Sequence, residues 1–525
     1  MATPETTLTG GATVASSDAA PRRLAILAVL CLSVLIINLD GTVLNVALPR
    51  IVATLHVDAA QLQWIVDAYV VVLAGLLLIA GSLGDHVGRK WVFVAGLVLF
   101  ATGSALSAFS PRADDLIAAR SFMGVGAAAI MPSTLSILTN VFTTPRDRAR
   151  AIGLWSGTSG LGLALGPMIG GWLLSRYWWG SVFLINVPIA ILAVVVVLWI
   201  VPNSRNPVAS RSDVPGAALA LAGVAVLLWG IIEGPSRGWG SFAIVTALVA
   251  AGLLIATFVV VERRTSHPLL ELAFFRSRRF SVAMSALALT IFALSGSMFL
   301  LTQFFQFALG YSPLATGLRI TPIAVVLLVV AALSTTLARA LGTRVVVFVG
   351  MVLISLGLAL LSLVSVQSSY ASMLPAFMLL GIGTGLSVAP CTDSVMGSVP
   401  VDLAGVGSAT NSTALQIGSA LGVALLGSLL STHYQSTMTL RMASLGVPPS
   451  LARTSEESLG QALLVARRAG VFGPELASLA RQAYVSAMIF AVDVGALIVG
   501  VAAIVVAVAL PARRVGVSSS GEPTP

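Results

Sequence analysis

Residues 81–90 read GSLGDHVGRK and form a short polar segment between two long apolar runs, 63–83 and 91–110. A membrane-spanning helix needs roughly 20 mostly apolar residues, so each flanking run is long enough to cross a bilayer. Glycines allow two helices to approach closely, and the segment contains three of them. We therefore predict a tight polar loop at one membrane surface, joining two transmembrane helices.

The whole chain has the composition of a membrane protein. Its 525 residues are 57% hydrophobic and only 9% charged, whereas soluble domains carry about 25% charged residues. About fourteen apolar runs of spanning length use most of the chain, so we predict an all-α polytopic membrane protein. The first run, 24–47, lacks a following small-residue cleavage site, which favours a retained helix over a signal peptide.

Several function classes are excluded by what the sequence lacks. It contains no G-x-x-x-x-G-K-[ST] phosphate loop, and Lys90 is its only lysine, so ATP-driven transport is excluded. No two of the four histidines have metal-ligand spacing, and no nucleophile–base constellation indicates an enzyme. Cys31 and Cys391 lie in apolar runs, where cysteine is most often a small apolar filler. We predict no metal and no cofactor.

The net charge of +9 reflects membrane topology rather than nucleic-acid binding. With the N-terminus in the cytoplasm, most of the 29 Lys and Arg residues fall in cytoplasmic tails and short loops, as the positive-inside rule requires. We therefore expect a plasma (inner) membrane protein with both termini cytoplasmic and no nucleic-acid partner.

An internal repeat divides the chain into halves. STTLARALGTR (334–344) follows the tenth predicted helix as GSLGDHVGRK follows the second, with Leu83 and Leu337 in register. Repeated helical halves are typical of transporters. The predicted regions are a disordered cytoplasmic tail at 1–22, a six-helix bundle at 23–202, two inserted helices at 203–265, a second six-helix bundle at 266–510 and a cytoplasmic tail at 511–525.

A long loop at 431–481 interrupts the second bundle and is expected outside the cell. Its segments SLGQALLVARRAG and PELASLARQAYVSAM are amphipathic and indicate short helices. Such helices lie either on the membrane surface or in a structured cap over the bundle.

GSLGDHVGRK resembles the loop motif G-x-L-a-D-r-x-G-r-k of the major facilitator superfamily. The resemblance implies the major facilitator fold, with fourteen transmembrane helices in two six-helix bundles plus the two inserted helices. It also implies a cytoplasmic gate, in which Asp85 faces the N-terminal dipole of the thirteenth helix, because the preceding loop holds no Lys or Arg. The implied gate residues are Gly81, Asp85, Gly88, Arg89 and Lys90.

GLGLALGPMIGG (160–171) resembles the G-x-x-x-G-P-x-x-G-G motif of proton-coupled exporters in the same superfamily. Small residues at this spacing favour close helix packing, and the proline favours a kink. LDGTVLNVALP (39–49), QWIVDAYVV (63–71) and RSFMGVGAA (120–128) resemble signatures of its fourteen-helix drug:proton antiporter branch, the EmrB/QacA type. The matching residues of the antiporter motif are Gly162, Gly166, Pro167, Gly170 and Gly171.

Three ionisable residues, Asp40, Asp67 and Arg120, lie inside the predicted helices of the first bundle. Charges within the membrane are rare and usually functional, and burial makes a carboxyl group hold its proton more readily. We predict that Asp40 is the leading proton-binding site, with Asp67 and Arg120 in the same network. The alternative is a structural Asp–Arg pair that only fixes helix packing.

The remaining polar and aromatic residues of the apolar helices are candidates for a substrate cavity. An apolar cavity with few polar groups suits amphipathic ligands. The candidates are Asn45, Tyr69, Gln303, Gln306, Phe307, Asn411 and Gln416.

Together these features predict a monomeric, proton-driven exporter of amphipathic drugs, antibiotics or related small molecules, working by alternating access. The alternatives are an exporter of an endogenous metabolite, lipid or siderophore, and a proton-coupled importer. The 160–171 motif argues against the importer. A receptor or scaffold is disfavoured by the charges inside the helices.

Overall fold

The computed structural model describes residues 19–205, 213–265, 268–400, 403–445 and 449–511. Within these ranges the chain is helical and contains no β-strand. Most of both predicted tails lies outside the described residues, namely 1–18 and 512–525. Residues 19–22, predicted as tail, instead belong to the first helix, which begins at Ala19.

The helices follow one another with short connections. The first bundle contains α1 (Ala19–Leu55), α2 (Ala59–Val87), α3 (Arg89–Ala108), α4 (Ala113–Val141), α5 (Pro145–Arg176), α6 (Ser181–Leu184) and α7 (Asn186–Ile200). The inserted hairpin is α8 (Val214–Arg237) and α9 (Phe242–Arg264). The second bundle contains α10 (Arg278–Gln303), α11 (Pro313–Leu341), α12 (Thr343–Leu361), α13 (Tyr370–Met396), α14 (Ala404–Leu445), α15 (Pro449–Glu457), α16 (Leu459–Ala466) and α17 (Gly473–Ala509).

The prediction of a fourteen-helix membrane protein is confirmed. Thirteen segments are long and apolar enough to span a membrane, and α6 and α7 together form one of them. The fourteenth long helix is α5, with 32 residues. Its many glycine and hydroxyl residues lower its hydropathy, although it lies in the middle of the protein between α1 and α11.

The two largest contacts between the bundles are those of α5 with α11 and of α2 with α14, and the hairpin α8–α9 packs beside the second of them. We call the end of the helices that carries Asp85–Lys90 the Lys90 face. The opposite end, which carries α15 and α16, is the Glu457 face.

The predicted loop at 431–481 is mostly helical, which corrects its boundaries. α14 continues to Leu445 and α17 already begins at Gly473. Serine, threonine and glutamine lower the hydropathy after residue 430, but no Gly or Pro occurs between Ser428 and Leu445 to end the helix. The loop is therefore shorter and consists largely of α15 and α16.

The α15–α16 segment is docked onto the Glu457 face. The Tyr434 hydroxyl of α14 donates to the Ser455 carbonyl at 3.0 Å. The Gln461 side-chain amide of α16 donates to the Val57 carbonyl at 3.2 Å. Both bonds are buried, so the segment forms a cap over the bundle.

The two bundles are closed at the Glu457 face and apart at the Lys90 face. Gly171 of α5 lies so close to α11 that a Cβ there would be 2.6 Å from the Leu314 Cα. Gly153 and Gly157 lie on the same stripe of α5 nearer the Lys90 face, and no neighbouring atom lies within 4 Å of their Cβ positions. The space between the bundles therefore opens toward the Lys90 face.

Candidate functional site

Asp40 of α1 and Arg120 of α4 form a buried ion pair, each with 1% of its side chain exposed. An Arg120 terminal nitrogen donates to Asp40 Oδ2, and the Arg120 Nε donates to the Ile65 carbonyl at 3.1 Å. The Asn186 amide donates to Asp40 Oδ1 at 3.2 Å. Both carboxylate oxygens are therefore bonded, which is what a charge pair far from water requires.

The Tyr69 ring forms one wall of this ion pair. The Arg120 guanidinium carbon lies 4.4 Å from the ring centroid, within the range of a cation–π contact. The Met123 sulfur lies 3.6 Å from the same guanidinium. Tyr69 was predicted to line the substrate cavity, but the structure places it in the charge network instead.

Asp67 lies outside the hydrogen-bond network that was predicted to include it. Its side chain is fully buried, and neither carboxyl oxygen has a hydrogen-bond partner. Residues two apart on a helix point in nearly opposite directions. Because α2 turns Ile65 and Tyr69 toward Arg120, it turns Asp67 away, toward the side that carries Gln63 and meets α14.

The antiporter-motif glycines of α5 pack directly beside Asp40. Gly162 meets Asn38 and Leu39 of α1, and a Cβ there would lie 2.9 Å from the Asn38 Cβ. Gly166 packs on Thr42, whose hydroxyl donates to the Gly162 carbonyl at 3.3 Å.

The other members of the motif divide between the two bundles. Gly170 meets Val43 of α1, whereas Gly171 and Pro167 meet α11 of the second bundle. The motif thus connects the helix that carries Asp40 with the contact between the bundles.

The polar loop at the Lys90 face makes its contacts within the first bundle. Arg89 donates to Asp85 Oδ1 at 2.8 and 3.0 Å, and Lys90 Nζ donates to the Leu198 carbonyl of α7 at 2.9 Å. Gly88 has φ +120°, and a side chain there would overlap the Asn203 amide. Gly81 meets only Pro132 of α4, at 3.6 Å from its Cβ position.

A contact of Asp85 with the start of the thirteenth membrane helix, α14, stays a prediction. Asp85 pairs with Arg89 one turn away, and no atom lies within 4 Å of the Cβ position of Gly405. The bundles are apart at this face, so the nearest cation is the one in the same loop.

A cavity lies between the bundles, beside the Asp40 segment of α1. Aliphatic side chains of α1, α5, α10 and α11 form most of its wall, and no acidic or basic residue lines it. Of the predicted cavity residues only Asn45 is present. The lining residues are Thr42, Asn45, Val46, Leu163, Pro167, Leu294, Met298, Thr302, Ile320, Ile323, Ala324 and Leu327.

The other predicted cavity residues are distributed around this space. The Gln306 amide donates to the Val46 carbonyl, and Phe307 contacts the Gly460 region of α16. Asn411 is buried with an unbonded Oδ1, and Gln416 is half-buried on α14. Gln303 lines a second cavity near the Glu457 face.

Sequence reasoning missed Asn186 and Gln63, both buried polar residues in apolar helices. Gln63 begins the quoted segment 63–71, and Asn186 stands in an apolar stretch of α7, so intramembrane polarity was the available signal. In the described part of the chain no three His, Cys, Asp or Glu side chains converge. His267 lies outside that part, and the expected absence of a metal stays a prediction.

The family model described as Major Facilitator Superfamily matches residues 30–423. The chain belongs to the major facilitator superfamily. In agreement, two inward-facing crystal structures of a bacterial homologue of the human lysosomal transporter Spinster share its fold. Their TM-scores are 0.65 and 0.66 at 18% identity, over 93% of this chain and 97% of theirs.

Sequence relatives identify the branch of this superfamily. The multidrug efflux pump LfrA of Mycolicibacterium smegmatis is 35% identical over 92% of this chain and 95% of its own. The tetracenomycin C resistance and export protein of Streptomyces glaucescens is 34% identical over 79% and 77%. The puromycin resistance protein of Streptomyces alboniger is 32% identical over 78% and 82%. The predicted relationship to the drug:proton antiporter branch is confirmed.

Proposed function

We propose that this major facilitator protein is a proton-coupled exporter of amphipathic, drug-like molecules in the plasma membrane. The observation that carries the proposal is the position of the central cavity. Thr42 and Asn45 of its wall lie on α1 within about a turn and a half of Asp40. A molecule in the cavity therefore presses on the same helix that carries the buried ion pair.

The cavity lining supports an apolar or amphipathic substrate. Its wall offers aliphatic side chains with a few hydrogen-bonding groups from Thr42, Asn45 and Thr302, which is the pattern of a site for small organic ligands. It offers no carboxylate to a cationic drug. The relatives are named for multidrug efflux and for resistance to tetracenomycin C and puromycin, which favours export over import.

The two aspartates have different parts in the coupling. Asp40 is held through both oxygens by Arg120 and Asn186, and Asp67 carries the transported proton. A buried carboxylate without a partner is too costly to persist, so Asp67 is neutral in the conformation that is open at the Lys90 face. Substrate entry then releases this proton, and the return of a proton in the opposite conformation completes the exchange.

The Lys90 face and both termini are cytoplasmic in this proposal, as the positive-inside rule requires. The opening between the bundles then admits substrate from the cell interior. The driving force is sufficient without a cofactor, because a 100 mV potential supplies about 2.3 kcal/mol per charge. At roughly 1.4 kcal/mol per factor of ten, one proton sustains about a fifty-fold gradient.

Drug susceptibility in an efflux-deficient bacterial host tests the proposal. Expression of the chain is expected to raise the inhibitory concentration of several apolar antibiotics, and a membrane-inserted Arg120→Ala variant is expected not to. Purified protein in liposomes is expected to accumulate the same drug when a pH gradient is applied, without ATP. If no drug in a chemically broad panel is moved by the gradient, the proposal is wrong.

A further inference from the structure

A second, smaller cavity lies beneath the cap at the Glu457 face. Unlike the central cavity, it is lined by several polar side chains from both bundles and from the cap. These include Gln63, Gln303, Ser431, Tyr434, Glu457 and Tyr484. Water needs both room and several polar partners, and this cavity offers both.

The floor of the cavity is formed by one amide side chain. Gln63 of α2 lies flat against Gly427 of α14, where a Cβ would be 2.8 Å from the Gln63 Cδ and 3.0 Å from its Nε2. The Ser428 hydroxyl lies 3.4 Å from the Gln63 Oε1. Only a glycine leaves room for the amide here, so Gln63 closes the gap between the two bundles.

Asp67 lies directly below this amide. It is four residues after Gln63 on α2, so its side chain lies on the same side of the helix one turn deeper. Asp67 is fully buried, with both oxygens unbonded. The shortest way from Asp67 to the Glu457 face is therefore past Gln63 and through the polar cavity.

Two acids at this face favour the presence of protons, namely Glu457, which lines the cavity, and Asp58, which directly precedes the lining residue Ala59. Burial raises the pKa of Asp58, and repulsion from Glu233 of α8 and Asp114 of α4 adds to it. Burial and the neighbouring Asp58 likewise raise the pKa of Glu457. Both carboxyl groups thus bind protons more readily than isolated ones.

We propose that this cavity is the proton entrance from the Glu457 face and that Gln63, seated on Gly427, is the plug between it and Asp67. This inference rests on the proposed proton coupling. In the opposite conformation α2 and α14 separate at this face. Gln63 then leaves Gly427, and water reaches Asp67.

Thiol accessibility tests the plug independently of transport. Cys31 and Cys391 are first replaced by alanine, and Asp67→Cys is labelled with 2-aminoethyl methanethiosulfonate applied from the Glu457 face. Adding Gln63→Ala is expected to raise the labelling rate about tenfold, because the thiol gains contact with water. Gln367→Ala, in an exposed loop of the same face, is the matched control and is expected to change nothing.

Proton leak tests the route itself. Liposomes with Gln63→Ala are expected to dissipate an imposed pH gradient faster than wild type, and Gln63→Ala/Asp67→Asn is expected to remove this leak. A leak that persists in the double variant, or unchanged labelling of Asp67→Cys, overturns the proposal. If Gln63→Ala does not fold, the shorter amide in Gln63→Asn gives the same two readouts with smaller effects.

The two assays separate this inference from the proposed function. If labelling is faster but the protein transports no drug, the water route is supported and only the proposed drug antiport is wrong. If antiport is normal but labelling is unchanged, the proposed water route is wrong and the proposed antiport is supported.

Discussion

Asp40 and Asp67 have similar sequence contexts but differ in their hydrogen bonding. Both are aspartates in apolar helices of the first bundle, and sequence reasoning favoured Asp40 as the proton site. In the structure Asp40 accepts hydrogen bonds on both oxygens, whereas Asp67 accepts none. A satisfied ion pair holds its charge and an isolated buried acid holds its proton, so the proposed proton carrier changes from Asp40 to Asp67.

Asp67→Asn is expected to leave folding intact and to abolish gradient-driven export. The amide has nearly the shape of a protonated carboxyl group, so the helix packing around it is kept. Uphill drug transport in liposomes is expected to fall by about tenfold or more, since a 100 mV gradient sustains a larger factor than that when coupled. Drug exchange without a gradient is expected to continue. Retention of substrate-induced proton release in this variant would assign the proton to another group.

Asp40→Asn is expected to destabilise the protein, because it leaves the Arg120 charge buried without its counter-ion. Removing one partner of a buried ion pair costs about 3–5 kcal/mol. Thermal unfolding in detergent measures the loss. The double variant Asp40→Asn/Arg120→Met removes both charges and is expected to recover most of the stability while remaining inactive. Equal melting temperatures for wild type and Asp40→Asn would contradict a charged pair.

The helix α5 contacts both the helix that carries Asp40, α1, and the second bundle. Its glycines at positions 162, 166 and 170 follow a four-residue spacing and lie against α1, whereas Pro167 and Gly171 lie against α11. The sequence motif predicted close packing but not its division between two partners. A movement of α5 relative to α11 therefore also displaces α5 against the segment of α1 that carries Asp40.

Gly166→Val is expected to lower stability and transport together. A side chain at this position overlaps Thr42 of α1, and overpacking of this kind costs about 1–3 kcal/mol. Gly153→Ala is the matched control on the same helix, because no atom lies within 4 Å of its Cβ position. It is expected to be neutral or slightly stabilising, since alanine favours helix over glycine. Equal effects of both changes on the melting temperature would remove the packing argument.

The sequence predicted the helices well and their side-chain partners less well. Apolar runs and the repeat located both bundles, because bilayer thickness sets helix length. The end of α14 was misplaced because hydropathy falls at Ser431 while helix propensity does not. Which side of α2 faces Arg120 depends on the packing of α4 and α14 around it. For this reason Asp67 was assigned to the wrong network, and Gln63 was not assigned a role.

The whole molecule adopts one of the two end conformations of an alternating-access cycle, the one that is open at the Lys90 face. The bundles meet at the Glu457 face and separate at the Lys90 face, so the central cavity has a single direction of opening. Acidic side chains of the first bundle, the cap and the inserted hairpin interact at the closed face, namely Asp58, Asp114, Glu457 and Glu233. We therefore expect proton binding at this face to be coupled to its closure.

The pH at the Glu457 face is expected to alter stability through Asp58 and Glu457. Their pKa values are raised in the folded protein, so between the ordinary and the raised values the folded state binds more protons than the unfolded state. Their contribution to the free energy of unfolding therefore falls as pH rises from about 4 through the raised values. The slope of the melting temperature against pH is expected to flatten in Asp58→Asn/Glu457→Gln. An unchanged slope would show that these acids are already fully ionised.

Labelling from outside intact cells checks the orientation of the whole molecule. In a chain without Cys31 and Cys391, Gln367→Cys lies exposed on the Glu457 face and Arg205→Cys lies exposed on the Lys90 face. A membrane-impermeant maleimide is expected to modify the first in intact cells and the second only after the membrane is opened. The reverse pattern would invert the topology.

Lys90 offers a single side-chain site for selective chemical labelling of the protein. It is the only lysine in the chain, and its ammonium group is held by the Leu198 carbonyl beside the Trp91 ring. Apart from the amino terminus, an acylating reagent such as an activated ester finds a single primary amine in the protein. A fluorophore attached there occupies one defined position, and the speed of its attachment reports how firmly α3 is fastened to α7.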